Sequence, residues 1–148
     1  MDIKGSVALV TGANRGIGRE FTRQLLDRGV AKVDASARDP RTIVAYDPRL
    51  VPLQVGATNV DSVARAAEIA QDTSVAVNNP GIARVGSVLY SDTSRLRLEL
   101  ETSLFGALAV ASAFTGRLVQ RSGAVSFPGA LLQAHARCQR QLYDPRPP

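Results

Sequence analysis

The sequence has no tryptophan, one cysteine, one histidine, one methionine and only two lysines, Lys4 and Lys32, in 148 residues. A lone Cys138 excludes an internal disulfide, and with His135 as the single histidine there is no Cys and His set at metal-ligand spacing. Aromatics make up 5% of the chain and do not alternate with the basic residues. The stacking platforms of single-stranded nucleic-acid binders are therefore missing despite a net charge of +5. Residues 1–116 carry thirteen basic against twelve acidic side chains, whereas 117–148 carry five arginines against Asp144 alone. The basicity belongs to the tail, which reads as solvated. Apolar runs break within about ten residues, short of the roughly 20 that cross a bilayer. The first residues lack the charged, apolar and cleavage-site order of a secretory leader. The expectation is a cytoplasmic protein that binds neither nucleic acid nor membrane.

A hydrophobic content of 45% is enough for one domain with its own core. Val7-Ala8-Leu9-Val10 is a continuous apolar run between Gly5 and Gly12, the pattern of a strand buried on both faces of a parallel sheet. From Gly16 to Arg28, Ile17, Phe21, Leu25 and Leu26 recur at helical spacing before Gly29, a suitable C-cap. A second strand is predicted at Lys32 to Ala37, with Asp34 an unwelcome polar residue inside it, and a third at Val51 to Val55, with Pro52 near its start. A helix from Asp61 to about Ala70, capped by Asn59 or Asp61, presents Val63, Ala66, Ala67 and Ala70 on one side. Val75-Ala76-Val77 is a fourth buried strand. A long helix from about Thr93 to Arg121 follows the caps Ser91 and Asp92 and carries Leu96, Leu100, Leu104, Leu108 and Ala111. Such alternation argues a doubly wound α/β sheet. Ala124-Val125 begins a fifth strand that Phe127-Pro128-Gly129 interrupts, so a domain over 1–125 and an irregular basic tail over 126–148 are expected.

The strongest chemical signal is Thr11-Gly12-Ala13-Asn14-Arg15-Gly16-Ile17-Gly18, directly after a buried strand and directly before an amphipathic helix. Glycines at 12, 16 and 18 allow a tight turn and let a pyrophosphate reach backbone N–H groups at the positive end of the helix. The spacing Gly-x-x-x-Gly-x-Gly, with Thr11 in front, closely resembles the cofactor loop of the short-chain dehydrogenase/reductase family. Asn78-Asn79-Pro80-Gly81 after the fourth strand resembles that family's Asn-Asn-Ala-Gly, although Asn-Pro-Gly also forms a turn by itself. The resemblance spans residues 5–125. It implies a Rossmann-like doubly wound parallel sheet, incomplete on its C-terminal side, with Gly12, Asn14, Arg15, Gly16, Ile17, Gly18, Arg38, Asn78, Asn79 and Gly81 around a dinucleotide.

Charge then bears on the choice of cofactor. An acidic residue after the second strand would bind the ribose hydroxyls of NAD, whereas a basic one neutralises the extra phosphate of NADP. Here Ala37 is followed by Arg38, which with Arg15 matches the basic positions of NADP-preferring relatives. Each charge-assisted contact is worth about 1.5 to 3 kcal/mol, so NADP is expected over NAD. The competing arrangement is an ion pair between Arg38 and Asp39.

Several positions depart from the family pattern. Gly56 stands where relatives have an acidic residue near the adenine, Pro80 replaces alanine, and Ser103 replaces an asparagine on the long helix. The family's catalytic serine and Tyr-x-x-x-Lys pair find no match: Ser126 follows Val125 too closely, no lysine occurs after Lys32, and Tyr143 is followed four residues on by Pro147. In relatives the lysine lowers the tyrosine pKa so that proton transfer proceeds near neutral pH. No catalytic residue is therefore assigned. The resemblance implies a cofactor-binding chain of oxidoreductase descent without its proton relay, or a non-catalytic NADP-binding module that pairs with an intact relative through the helix at about 93–121.

Overall fold

Parallel pairing requires the chain to return to the same end of the sheet before each new strand, and here it does so four times. In the computed structural model, which describes residues 3–82 and 92–127, β1 (Val7–Thr11) lies between β2 (Lys32–Ala37) and β4 (Val75–Val77), with β3 (Leu50–Gln54) beyond β2 and β5 (Ala124–Ser126) beyond β4. The order β3-β2-β1-β4-β5 is parallel throughout. Sequence and structure agree on a doubly wound sheet. Ser91, His135, Cys138, Tyr143 and the tail beyond Phe127 lie outside the described residues.

Because side chains alternate across a strand, the sheet has two cores. Ala8, Val10, Val33, Ala35, Val75 and Val77 face α1 (Gly16–Asp27) together with its Leu25 and Leu26. Leu9, Leu53 and Ala76 face α2 (Val60–Ile69) and α4 (Gly106–Gln120). Asn59 caps α2 by accepting from Ser62 N at 2.8 Å, and Val63, Ala66, Ala67 and Ala70 are all buried as expected. The crossover from β2 to β3 has no α-helix. Residues 38–49 make the passage with a single 3-10 turn at Pro40–Thr42, near the minimum of about a dozen residues for a parallel connection.

The long helix is where the sequence pattern misleads. Helix α3 (Thr93–Leu100), capped by Asp92, runs through a π turn at Glu101–Phe105 into α4. Most of the expected stripe is the outer face: Leu100, Leu104 and Leu108 are 53%, 40% and 51% exposed, while Leu96 and Ala111 are half-buried. The face that meets the sheet carries Val110, Phe114 and Leu118, with Ala107 also buried. Both rows are apolar, and periodicity alone does not say which one turns inward. The 28-residue run Thr93–Gln120 is also apolar enough, by length and composition, to cross a bilayer, which a count of unbroken runs did not reveal; its inner row packs on the sheet.

Asp34, awkward in the sequence, is 2% exposed on the α2/α4 face. Lys32 makes it tolerable, with its ammonium 3.1 Å from Asp34 Oδ2 and 2.8 Å from Asp72 Oδ1. Desolvation still dominates and raises the Asp34 pKa, against the lowering pull of Lys32. A carboxyl with a raised folded pKa holds its proton more tightly in the native state. Its contribution to stability is therefore largest below the ordinary carboxylate range and declines as pH rises through the shifted value. Asp34→Asn should accordingly gain stability relative to the parent as pH rises from about 3 to 7. Chemical unfolding at several pH values checks this, and a difference that is flat or runs the other way contradicts it.

Candidate dinucleotide site

The chain reverses its direction of travel across the sheet between β1 and β4, which leaves a crevice at their C-terminal ends. Two short segments line it. The glycine loop leaves β1 and enters α1, and Asn78-Asn79 leaves β4. They are tied together by the Asn79 N–H, which donates to Thr11 Oγ1 at 2.6 Å, and by Asn79 Nδ2, which donates to Thr11 O at 3.4 Å. Asn78, almost wholly buried, donates through Nδ2 to Ala107 O at 2.7 Å and so fastens the end of β4 to α4. Its Oδ1 has no hydrogen-bond partner among the described residues.

The glycines divide the work. A Cβ on Gly18 would lie 2.2 Å from Gly12 O and 3.1 Å from Asn79 Nδ2, so this position holds helix against strand and nothing larger fits. At Gly16, φ is +53° and the space a Cβ would take is open. The helix begins there with no side-chain cap from Arg15 and no acidic residue in its first turn. Its leading N–H groups and the positive end of its dipole thus face an open crevice, the arrangement that accommodates a phosphate group. Ile17, expected among the core residues of α1, is instead 47% exposed beside this opening. The first turn of α1 stands clear of the core, which suits its other expected role beside the cofactor.

The arginines sort themselves by partner. Arg23, Arg41 and Arg49 are held in ion pairs with Glu20 and Asp27, Asp39, and Asp47. Arg15 and Arg38 are exposed, and their guanidinium groups have no hydrogen-bond or ion-pair partner among the described residues. The Asp39 carboxylate, the alternative partner for Arg38, takes the Arg41 guanidinium at 2.9 and 3.0 Å and the Arg41 N–H at 3.1 Å. These hydrogen bonds hold its pKa below the ordinary range. Asn14 Nδ2 donates to Thr42 Oγ1 at 3.1 Å. Gly81 lies at the exposed end of the second segment. Ser103, in the π turn, accepts from Ile82 N at 3.4 Å, so it supports the segment after β4. Sequence reasoning missed Thr42, because a lone threonine in a turn carries no motif.

Fold and loop together define a Rossmann-like domain with a glycine loop at its switch point. The family model for short chain dehydrogenases matches residues 6–127. A short chain dehydrogenase of Monascus ruber, pigC, is 28% identical over 80% of this chain and 45% of its own length. Galactitol 2-dehydrogenase (L-tagatose-forming) of Cereibacter sphaeroides is 31% identical over 87% of this chain and 54% of its own. A short chain dehydrogenase of Burkholderia cenocepacia solved in complex with NADP superposes with a TM-score of 0.81 at 41% identity, covering 84% of this chain and 53% of that one. The chain belongs to the short chain dehydrogenase family, and it spans about half the length of the relatives it matches.

The two glycines should fail differently. Gly18→Ala forces backbone apart and should unfold well below the parent temperature. Gly16→Ala meets only the left-handed φ, worth about 1 to 2 kcal/mol, and should stay folded. Thermal melts followed by circular dichroism separate the two, and equal losses would contradict this division of roles.

Proposed function

We propose that this chain binds a nicotinamide dinucleotide, NADP in preference to NAD, in the crevice between the glycine loop and Asn78-Asn79, and that these residues alone do not carry a proton relay. The observation that carries the reading is the open space over Gly16 at the uncapped start of α1, with Arg15 and Arg38 unpaired nearby. The residues fit the group: leading N–H groups for the pyrophosphate, two free guanidinium groups for a ribose phosphate, and a site free of first-turn carboxylates. The NADP held by the Burkholderia relative supports the choice. When bound, such a cofactor supplies hydride to a carbonyl. What this chain contributes is orientation: Thr11 and Asn79 set the floor of the crevice, and α1 sets the charge at its rim. No Tyr-x-x-x-Lys pair accompanies them within the 148 residues, so carbonyl reduction by this chain alone is not expected.

Calorimetry with NADPH and NADH tests the reading. Arg38→Ala should cut the NADPH preference about tenfold or more, as ~1.4 kcal/mol would. Gly16→Val should abolish binding of both cofactors while the fold persists, because a branched side chain fills the open space. Equal affinities of the parent for both cofactors would sink the charge argument, and unchanged affinity of the valine variant would make the loop a mere turn.

A second reading, pairing with an intact relative or a second copy, is favoured by one observation: Leu100, Leu104, Phe105 and Leu108 form an exposed apolar row along α3 and α4. Replacing Leu104 and Leu108 together by Glu should leave a monomer in analytical ultracentrifugation where the parent associates. A parent that is monomeric at every concentration removes this reading.

A further inference from the structure

We propose that Thr42 is a positioning residue for the phosphate-selecting Arg38, and that it acts by latching the β2–β3 turn to the glycine loop. This rests on the NADP reading above. The Thr42 hydroxyl does two things at once, accepting from Asn14 Nδ2 at 3.1 Å and donating to Asp39 O at 2.6 Å. One end of that chain is the loop that would meet the pyrophosphate; the other is the residue directly after Arg38. The Arg38 carbonyl is itself held by Gln54 Nε2 at 3.3 Å.

The latch matters because the turn has little else to hold it. With no α-helix between β2 and β3, the 3-10 turn at Pro40–Thr42 is secured at its far end by Ile43, buried among the residues facing α1. At its near end Ala13 N donates to Ser36 O at 2.9 Å. Between these anchors Thr42 supplies the side-chain bridge to Asn14, and so sets Arg38 relative to Arg15. The Asp39 carboxylate is occupied by Arg41, which removes the nearest anion from competition for Arg38. A guanidinium held in place before binding loses less conformational freedom when it meets a phosphate dianion than one on a loose turn. The ligand chemistry recognised is a phosphate monoester on a ribose.

The test is calorimetry on the full chain with NADPH and NADH, using the parent, Thr42→Val, Thr42→Ser, Arg38→Ala and the Thr42→Val/Arg38→Ala double variant. Thr42 is exposed, so its variants should fold, and Thr42→Ala offers a second way to remove the hydroxyl. Thr42→Val should lower the NADPH preference about three- to tenfold, the scale of one lost hydrogen bond. Serine should restore it, and in the Arg38→Ala background the valine should change the preference no further. If Thr42→Val leaves the preference intact while Arg38→Ala removes it, the latch is overturned and the NADP reading survives. Equal weakening of both cofactors, in both backgrounds, overturns it as well, since Thr42 would then merely stabilise the loop. A parent without phosphate preference defeats the NADP reading first, and the latch with it.

Discussion

The structure turns on the contact between the carbonyl of Gly12 and the backbone of Gly18, across which strand β1 and helix α1 come closer than any side chain would permit. That contact makes the loop short, and a short loop points the first turn of α1 at the crevice instead of over it. Asn79 closes the third side by bonding to Thr11 and lying against both glycines. Strand, helix and neighbouring strand thus share one knot of backbone. The dipole of α1, its uncapped N–H groups and the open space above Gly16 are consequences of it.

Electrostatics adds selectivity to that geometry. In a chain with sixteen arginines and two lysines, a basic residue is no signal by itself. What sets Arg15 and Arg38 apart is their place, in the glycine loop and directly after β2, with Asp39 spent on Arg41 as Asp47 is on Arg49. These surface pairs add little stability, and their consequence is which guanidinium groups remain available. The buried Asp34, with the partly exposed Lys32 and Asp72, stands apart from this. It occupies the α2/α4 face of the sheet, where a carboxylate without the ammonium would carry an uncompensated desolvation cost.

The sheet's far side is less finished. All three residues of β5 are exposed, and beyond it no further strand occurs among the described residues. The outer leucine row of the long helix is exposed as well. An unpaired edge strand and an apolar helix face are features that other chains, or further segments, commonly cover.

The sequence by itself determined the strand and helix alternation, the glycine loop and the cap at Asn59, because each rests on contacts within a few residues: an apolar run, a turn that needs glycine, a side chain reaching its own helix end. It also pointed to Arg38, since charge type is visible without coordinates. Only the tertiary structure decided which row of the long helix is buried, since Leu104 and Val110 are equally apolar and the sheet's position selects between them. It likewise decided that Lys32 pairs with Asp72 as well as with Asp34, and that Thr42 meets Asn14 across 28 residues. Those outcomes depend on where separate turns of chain arrive in space, and no local pattern encodes that.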